Sequence, residues 1–344
     1  MSATDTEATD TGDRAREQQQ SAARRRRSRW SSGLQGYAIL VVWALLIAYF
    51  SLRLPDTFAT LQNFQAIANS RTVLLLITLG LIFPLAAGEF DLSIGATMSM
   101  GGVLPVYLAT TQGIPIGIAI VIGIVCAMAF GLFNGLLVVM AGIPSLVVTL
   151  GSGTLLAGLL SGIAGNGTFT IGTSEYVSLV RQKLLGFSVA FWFVLVVCVL
   201  AWYVLQHTPV GRHLYFVGQS REVARLAGVR TSRYRYGSLV ASATLAAAAG
   251  ALLVGNVGSV QTAVGSGYLL PAFAAAFLGS TAIVTGRFNA FGALVATYFL
   301  ETGITGLQLL GYQDWVSNVF YGSALILAVL VATVAGRIRA RARS

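Results

Sequence analysis

The sequence predicts an all-α protein that crosses a bilayer about ten times, and three observations carry that reading. Of its 344 residues, 56% are hydrophobic and only 10% charged, and the mean hydropathy is +0.76. Soluble domains carry about 25% charged residues, so this chain lacks the polar surface needed to stay in water. Apolar stretches fill nearly everything after Tyr37, each close to the ~20 residues that a membrane helix needs. The chain also holds 39 glycines, which let membrane helices approach closely.

Residues 1–32 are polar, rich in Thr, Asp, Gln and Arg. They cannot bury a core and read as a disordered cytoplasmic basic tail. A cleavable secretory signal would place its apolar region nearer the start, so the first span reads as a retained anchor. Hydropathy then predicts spans near 37–54, 72–88, 92–110, 115–140, 146–164, 188–207, 237–257, 268–285, 289–310 and 315–336. They make one transmembrane domain, 33–336, with a long loop at 208–236, and a basic cytoplasmic tail follows at 337–344. The second, third, eighth and ninth spans include short, glycine-broken segments. Such breaks survive only where protein or a water-filled cavity satisfies the backbone.

Charge supports this order. With ten spans, all of the 22 lysines and arginines except Arg53, Arg71, Arg181 and Lys183 fall on the side of the two termini. Cytoplasmic loops carry such an excess, so both termini are expected in the cytoplasm. A weak echo also joins 72–164 to 237–330, each with a glycine-rich broken segment, a long span and two closing spans. Five spans per half would invert one half against the other, a possible 5+5 repeat of the kind many transporters use.

Several functions are excluded. The net charge of +10 is concentrated in three arginine blocks beside apolar spans, with none of the base-reading motifs of a nucleic-acid binder. A Walker A loop needs a lysine to hold phosphates, and the only lysine, Lys183, follows Gln182 in a loop predicted on the far side. Any ATP must be hydrolysed by another subunit, so no cofactor is expected here. Cys126 and Cys198 lie inside apolar runs and read as small packing residues. His207 and His213 lack the acidic company of a metal site. No HExxH or GxSxG motif points to an intramembrane enzyme. Trp30, Trp43, Trp192, Trp202 and Trp315 lie mostly near span ends, as in an interfacial belt.

Polar residues inside the spans are functional candidates by default, because charge in a bilayer costs several kcal/mol. Glu89 and Asp91 flank a glycine break. Asp91, just before Leu92 and Ser93, suits either capping of free helix amides or lining a solute path. Asn134 suits a bond between helices or a solute contact. Glu301, in the ninth span, suits a polar cavity, a subunit contact or a carboxyl neutralised by desolvation. A relay through Glu89, Asp91 and Glu301 would make an ion- or proton-coupled transporter.

The segment from Thr208 to Arg235 predicts a short helix over Glu222–Leu226, with Gly228 closing it. By composition it could dock in a partner's groove or bind lipid headgroups. The run Gly211, Arg212, Tyr215, Gly218, Ala224, Ala227, Gly228, Val229 resembles the cytoplasmic coupling loop of ribose-type ABC importer permeases. GEFDLSIGATMSMGG (88–102) is similar to that family's GGIDLSVG segment, and GLFNGLLVVMAGIPSLVVTLG (131–151) to another of its stretches. Residues 265–311 follow its closing third. The four runs stand in family order across roughly 72–331. The DLSIG and VARLAGV runs look more like the sugar permeases than the branched-chain amino-acid permeases, the nearest alternative.

The resemblance implies a monosaccharide permease of a bacterial plasma membrane. Its partners would be a cytoplasmic ATPase, a second permease copy (identical or not), an external sugar-binding protein and membrane lipid. It implies that Gly211, Arg212, Glu222, Val223, Ala224, Leu226, Ala227 and Gly228 engage the ATPase. Asp91, Ser93, Asn134, Glu301, Thr305 and Gln308 become candidates for the solute path. Three departures fall in spans that could line this path: Ser280 after Gly279, no asparagines near Thr305 and Gln308, and the acid at Glu301.

Overall fold

The computed structural model describes residues 37–341 apart from 166 and 173. The predicted tail at 1–32 and the last three residues of the C-terminal tail lie outside the described residues. The helices are α1 (Tyr37–Arg53), α2 (Leu61–Ser70), α3 (Thr72–Ala86), α4 (Ile94–Thr111), α5 (Ile116–Val139), α6 (Ser145–Ala164) and α7 (Glu175–Arg181). After these come α8 (Val189–His207), α9 (Pro209–Gln219), α10 (Arg221–Leu226), α11 (Thr231–Val257), α12 (Ser266–Gly279), α13 (Ala290–Leu309) and α14 (Trp315–Arg341). Four short strands complete it: β1 (Thr168–Thr170), β2 (Lys183–Leu184), β3 (Phe187–Ser188) and β4 (Ser259–Gln261), with β1 antiparallel to β4 and β2 to β3.

All ten predicted spans are helical, but length and composition alone do not deliver ten crossings. Among the described residues five helices are long and apolar enough: α5, α6, α8, α11 and α13. The bent pair α2–α3 makes a sixth, whereas Tyr37–Arg53, Ser266–Gly279 and Trp315–Val331 are shorter apolar helices.

Four boundaries differ from expectation, each for a local reason. Helix α2 was hidden from hydropathy by its polar residues; Thr60 caps it by accepting the Asn63 amide at 3.1 Å, and it meets α3 at a 44° bend. Helix α12 stops at Gly279 because Asn289 organises the chain beyond it. Its amide donates to the carbonyls of Gly279, Ala282 and Arg287, and its oxygen accepts the Gly292 amide at 2.6 Å, which starts α13. Helix α11 begins at Thr231 rather than 237, so Arg233 and Arg235 lie in its first turns. Helix α14 continues to Arg341, where part of the tail at 337–344 was expected. Alanine and arginine are good helix formers, and cations suit a helix C-terminus.

The core is built on α3, in which every residue but Phe83 is buried, and on α11, which packs along it. A helix apolar all round belongs inside. By contrast α5, α6 and α8 turn apolar side chains such as Val121, Leu132, Leu150 and Val196 outward.

Packing repeats between the halves. Helix α4 lies on α5 and α6, as α12 lies on α13 and α14, while each leading helix crosses over: α3 packs on α12 and α13, and α11 on α4 and α5. This order is what the weak sequence echo anticipates. Segments expected to share a membrane face also touch. Strand β1 pairs with β4, joining the loops after α6 and α11, and Arg181 donates to the Asn256 carbonyl at 2.8 Å. On the other face Tyr215 donates to the Phe288 carbonyl, joining α9 to the turn before α13.

Candidate functional site: the coupling segment and the buried polar clusters

Helices α9 and α10 form where the long arginine-rich loop was expected. Thr208 caps α9 through the Gly211 amide, with Pro209 at the first helical position, where its missing N–H costs nothing. Ser220 ends α9 and caps α10 through the Val223 amide at 3.4 Å. Gly228, at φ +79°, closes α10 in the left-handed region that a side chain disfavours. The Gly228 amide reaches the Arg225 carbonyl at 3.0 Å, and the Val229 amide the Ala224 carbonyl at 3.0 Å. The six-residue helix buries Ala224 completely and exposes Val223 by 52% and Leu226 by 79%. Those two apolar side chains stand one turn apart. Gly211 is buried within α9, whereas Arg212, Glu222 and Ala227 are exposed.

The segment grips the break between α3 and α4. Backbone meets backbone at Gly218 and Gly88: a Cβ on Gly218 would overlap the Ala86 carbonyl oxygen. Beside this contact lies Glu89, only 1% exposed. Its Oε1 accepts from Arg221 Nη2 at 2.8 Å and from Arg235 Nε at 2.5 Å. Arg221 also donates to the Gly88 carbonyl at 3.1 Å. A buried carboxylate bonded to two guanidiniums thus ties the starts of α10 and α11 to the break. A cavity of about 290 Å3 opens beside it, lined by Phe90, Pro144 and Ser145 among others.

The break itself is held by the start of α6. Ser145 Oγ accepts the Phe90 amide at 3.0 Å, and Thr149 Oγ1 accepts the Leu92 amide at 3.0 Å. Irregular backbone at membrane depth is tolerated on this condition. Asp91, 2% exposed, bonds the Ser93 amide at 3.0 Å and hydroxyl at 2.5 Å through Oδ1, and Ser242 of α11 at 2.7 Å through Oδ2. Asn134 of α5 donates to Ser93 Oγ at 3.0 Å, and its own Oδ1 is buried without a hydrogen-bond partner. Asp91, Ser93 and Asn134 therefore form one cluster at the start of α4. Close by, α4 meets the start of α12 where Gly95 and Gly265 touch, and Ser99 Oγ accepts the Gly265 amide at 2.9 Å.

The remaining candidates lie elsewhere. Glu301, 2% exposed, has Oε2 at 2.6 Å from Arg71 Nε, an ionic contact without a well-aimed hydrogen bond, and Thr305 donates to its Oε1 at 3.2 Å. Gln308 turns instead to Asp314, at 3.4 Å. Trp43 donates to Thr302 of the same helix at 2.9 Å, fastening α1 to α13.

The arginine partners were invisible to sequence reading. Arg221 and Arg235 stand 132 and 146 residues from Glu89, and Arg71 stands 230 residues before Glu301. The available signal was a lone charge at the edge of an apolar run. Tyr215 was also read only as part of a motif. Its ring carries the Arg287 guanidinium at 5.5 Å, and burial pushes its hydroxyl up to about 12 against the opposing pull of that cation. No group of three His, Cys, Asp or Glu suited to a metal ion occurs among the described residues.

Comparison with known proteins places this architecture. The family described as branched-chain amino acid transport system / permease component matches residues 63–330. The chain is 27% identical to the ribose import permease protein RbsC of Haemophilus influenzae, over 83% of this chain and 89% of that one. It is 25% identical to the D-allose transport system permease protein AlsC of Escherichia coli K12, over 85% and 90% respectively. It is 30% identical to the autoinducer 2 import system permease protein LsrD of Salmonella typhimurium LT2, over 74% and 78%. No solved structure matches the chain. The family match runs from within α2 into α14 and takes in the coupling segment and every buried cluster described above, so the chain belongs to the branched-chain amino acid transport system / permease component family.

Proposed function

We propose that this chain is the membrane-spanning permease of an ABC importer for a monosaccharide. Two of the three relatives above are named for ribose and D-allose, and the buried clusters offer neutral hydroxyls and amides more than free charge. The chain itself is no enzyme. A separate ATPase hydrolyses ATP on the cytoplasmic side, a second permease copy completes the passage, and an external binding protein delivers the sugar. The protein sits in a bacterial inner membrane with both termini in the cytoplasm.

The observation that carries the mechanism is the pairing of Arg221 on α10 with Glu89, two residues before the Asp91 and Ser93 cluster at the start of α4. The ATPase grips the exposed Val223 and Leu226 face of α10. Movement of α10 draws on Arg221, and through Glu89 on the break between α3 and α4. From there Asp91 and Ser93 pass the displacement to α11 and to the paired starts of α4 and α12. Half-helix starts are where transporters of repeated architecture place their binding sites. Asn134, with an unused buried acceptor at this junction, is the residue we assign to a sugar hydroxyl. Each carboxylate is already engaged by arginine, serine or threonine, which favours positional roles over a proton relay.

Burying a leucine side chain contributes about 1.5–3 kcal/mol. Leu226→Glu is therefore expected to weaken ATPase association by tenfold or more and to stop uptake, with the permease still folded. Co-purification of the two subunits reads this directly. Undiminished association would remove α10 from the coupling role.

A further inference from the structure

A cleft of about 860 Å3 opens beside the turn between α10 and α11, and its lining does not include Val223 or Leu226. Arg225, Arg230 and Arg233 edge it, and no acidic side chain lines it. Its opposite wall is Leu132 and Leu136, one turn apart on α5 and 47% and 40% exposed. Tyr236 also lines it, its ring against Gly135 of α5. The neighbouring Arg221 and Arg235 are occupied by Glu89, but no ion pair among the described residues takes the three arginines of the cleft.

A span helix that presents leucines beside three guanidiniums with no ion-pair partner among the described residues suits a ligand that is apolar at one end and anionic at the other. A soluble phosphate would leave the leucines bare. A docking protein on the cytoplasmic side would meet leucines that belong to a membrane span. A tyrosine such as Tyr236 in the lining is a usual side chain of the headgroup layer. We infer that this cleft binds an anionic phospholipid, its headgroup among Arg225, Arg230 and Arg233 and its acyl chain along Leu132 and Leu136. The two roles that composition allows for this arginine-rich segment, docking and lipid binding, then belong to two faces of it. The lipid would brace the Gly228 turn from the membrane side while the ATPase holds α10.

The test uses purified full-length permease in micelles containing equal phosphatidylglycerol and phosphatidylcholine, with retained lipid identified by native mass spectrometry. Each basic residue near an anionic headgroup contributes a factor of roughly five. Single changes Arg225→Gln, Arg230→Gln or Arg233→Gln should each lower phosphatidylglycerol retention about fivefold. The triple variant should lower it about a hundredfold, leaving phosphatidylcholine unchanged. Leu136→Gln, with all arginines present, should reduce retained phosphatidylglycerol without altering binding of inorganic phosphate, which separates a lipid from a free anion. The single variants keep the test readable if the triple variant does not fold. Three results would overturn the inference: retention indifferent to the arginines, retention indifferent to Leu136, or arginine variants that lose only ATPase association in lipid-free detergent.

Discussion

Glu89→Gln is expected to cut ATP-driven uptake by tenfold or more while ATPase association persists. The carboxylate is 1% exposed and holds Arg221 and Arg235 together through one oxygen. Glutamine keeps the shape and its carbonyl oxygen can still accept from both side chains, but it carries no charge with which to hold two guanidiniums. The link between α10 and the break then slackens, while the Val223 and Leu226 face stays intact. Glu89→Ala is harsher. It strands Arg235, whose side chain is only 15% exposed, and breaking a buried ion pair costs about 3–5 kcal/mol. Arg221→Ala should be milder, because that side chain is 49% exposed and exposed pairs contribute about 0–1 kcal/mol. Thermal unfolding in detergent ranks the three for stability, and ATPase-coupled uptake ranks them for transmission. A Glu89→Gln permease that couples normally would break the proposed route at its first joint.

The second large effect concerns Arg71 and Glu301. Arg71 sits at the 44° bend between α2 and α3, and its partner lies midway along α13, so the pair fastens the first half of the fold to the second. Arg71→Met leaves Glu301 buried and uncompensated, at a cost of about 3–5 kcal/mol. Replacing both, Arg71→Met with Glu301→Leu, removes two desolvated charges and should restore most or all of that stability, since apolar substitutes of similar volume are often neutral or stabilising. Unfolding of the two single variants and the double variant measures the coupling. Additive losses would show that the two groups act separately. Uptake should return with stability in the double variant, because the carboxylate is already taken by Arg71 and Thr305.

The parts of this architecture legible from the sequence are those set by solvent. Apolar runs located ten helices, most ends to within two residues and one end each of α11, α12 and α14 only to within five or six, because water exclusion acts on each run separately. The cap at Gly228 and the helix over Glu222–Leu226 were legible because their signals are local. Helix α2 was not, since LQNFQAIANS reads as polar and gains its place by packing near α3 and α13. The early stop of α12 was missed because it depends on one asparagine ten residues downstream. Asp91 was noticed beside the start of α4, but its bond to Ser242 spans 151 residues, and nothing in either stretch marks the other. Glu89 was noticed as an acid beside a glycine break, and its meaning lay in two arginines that sequence reading assigned to topology. Arginines that set orientation and arginines that carry force look alike in one dimension.

Concentrative uptake by proteoliposomes containing this permease tests the central claim most directly, with the ATPase, ATP and sugar-loaded binding protein added or withheld. The account predicts accumulation of sugar only when all are present on their proper faces, and none from the permease alone under any ion gradient. Uphill accumulation by the permease unaided, driven by a proton or sodium gradient, would contradict it.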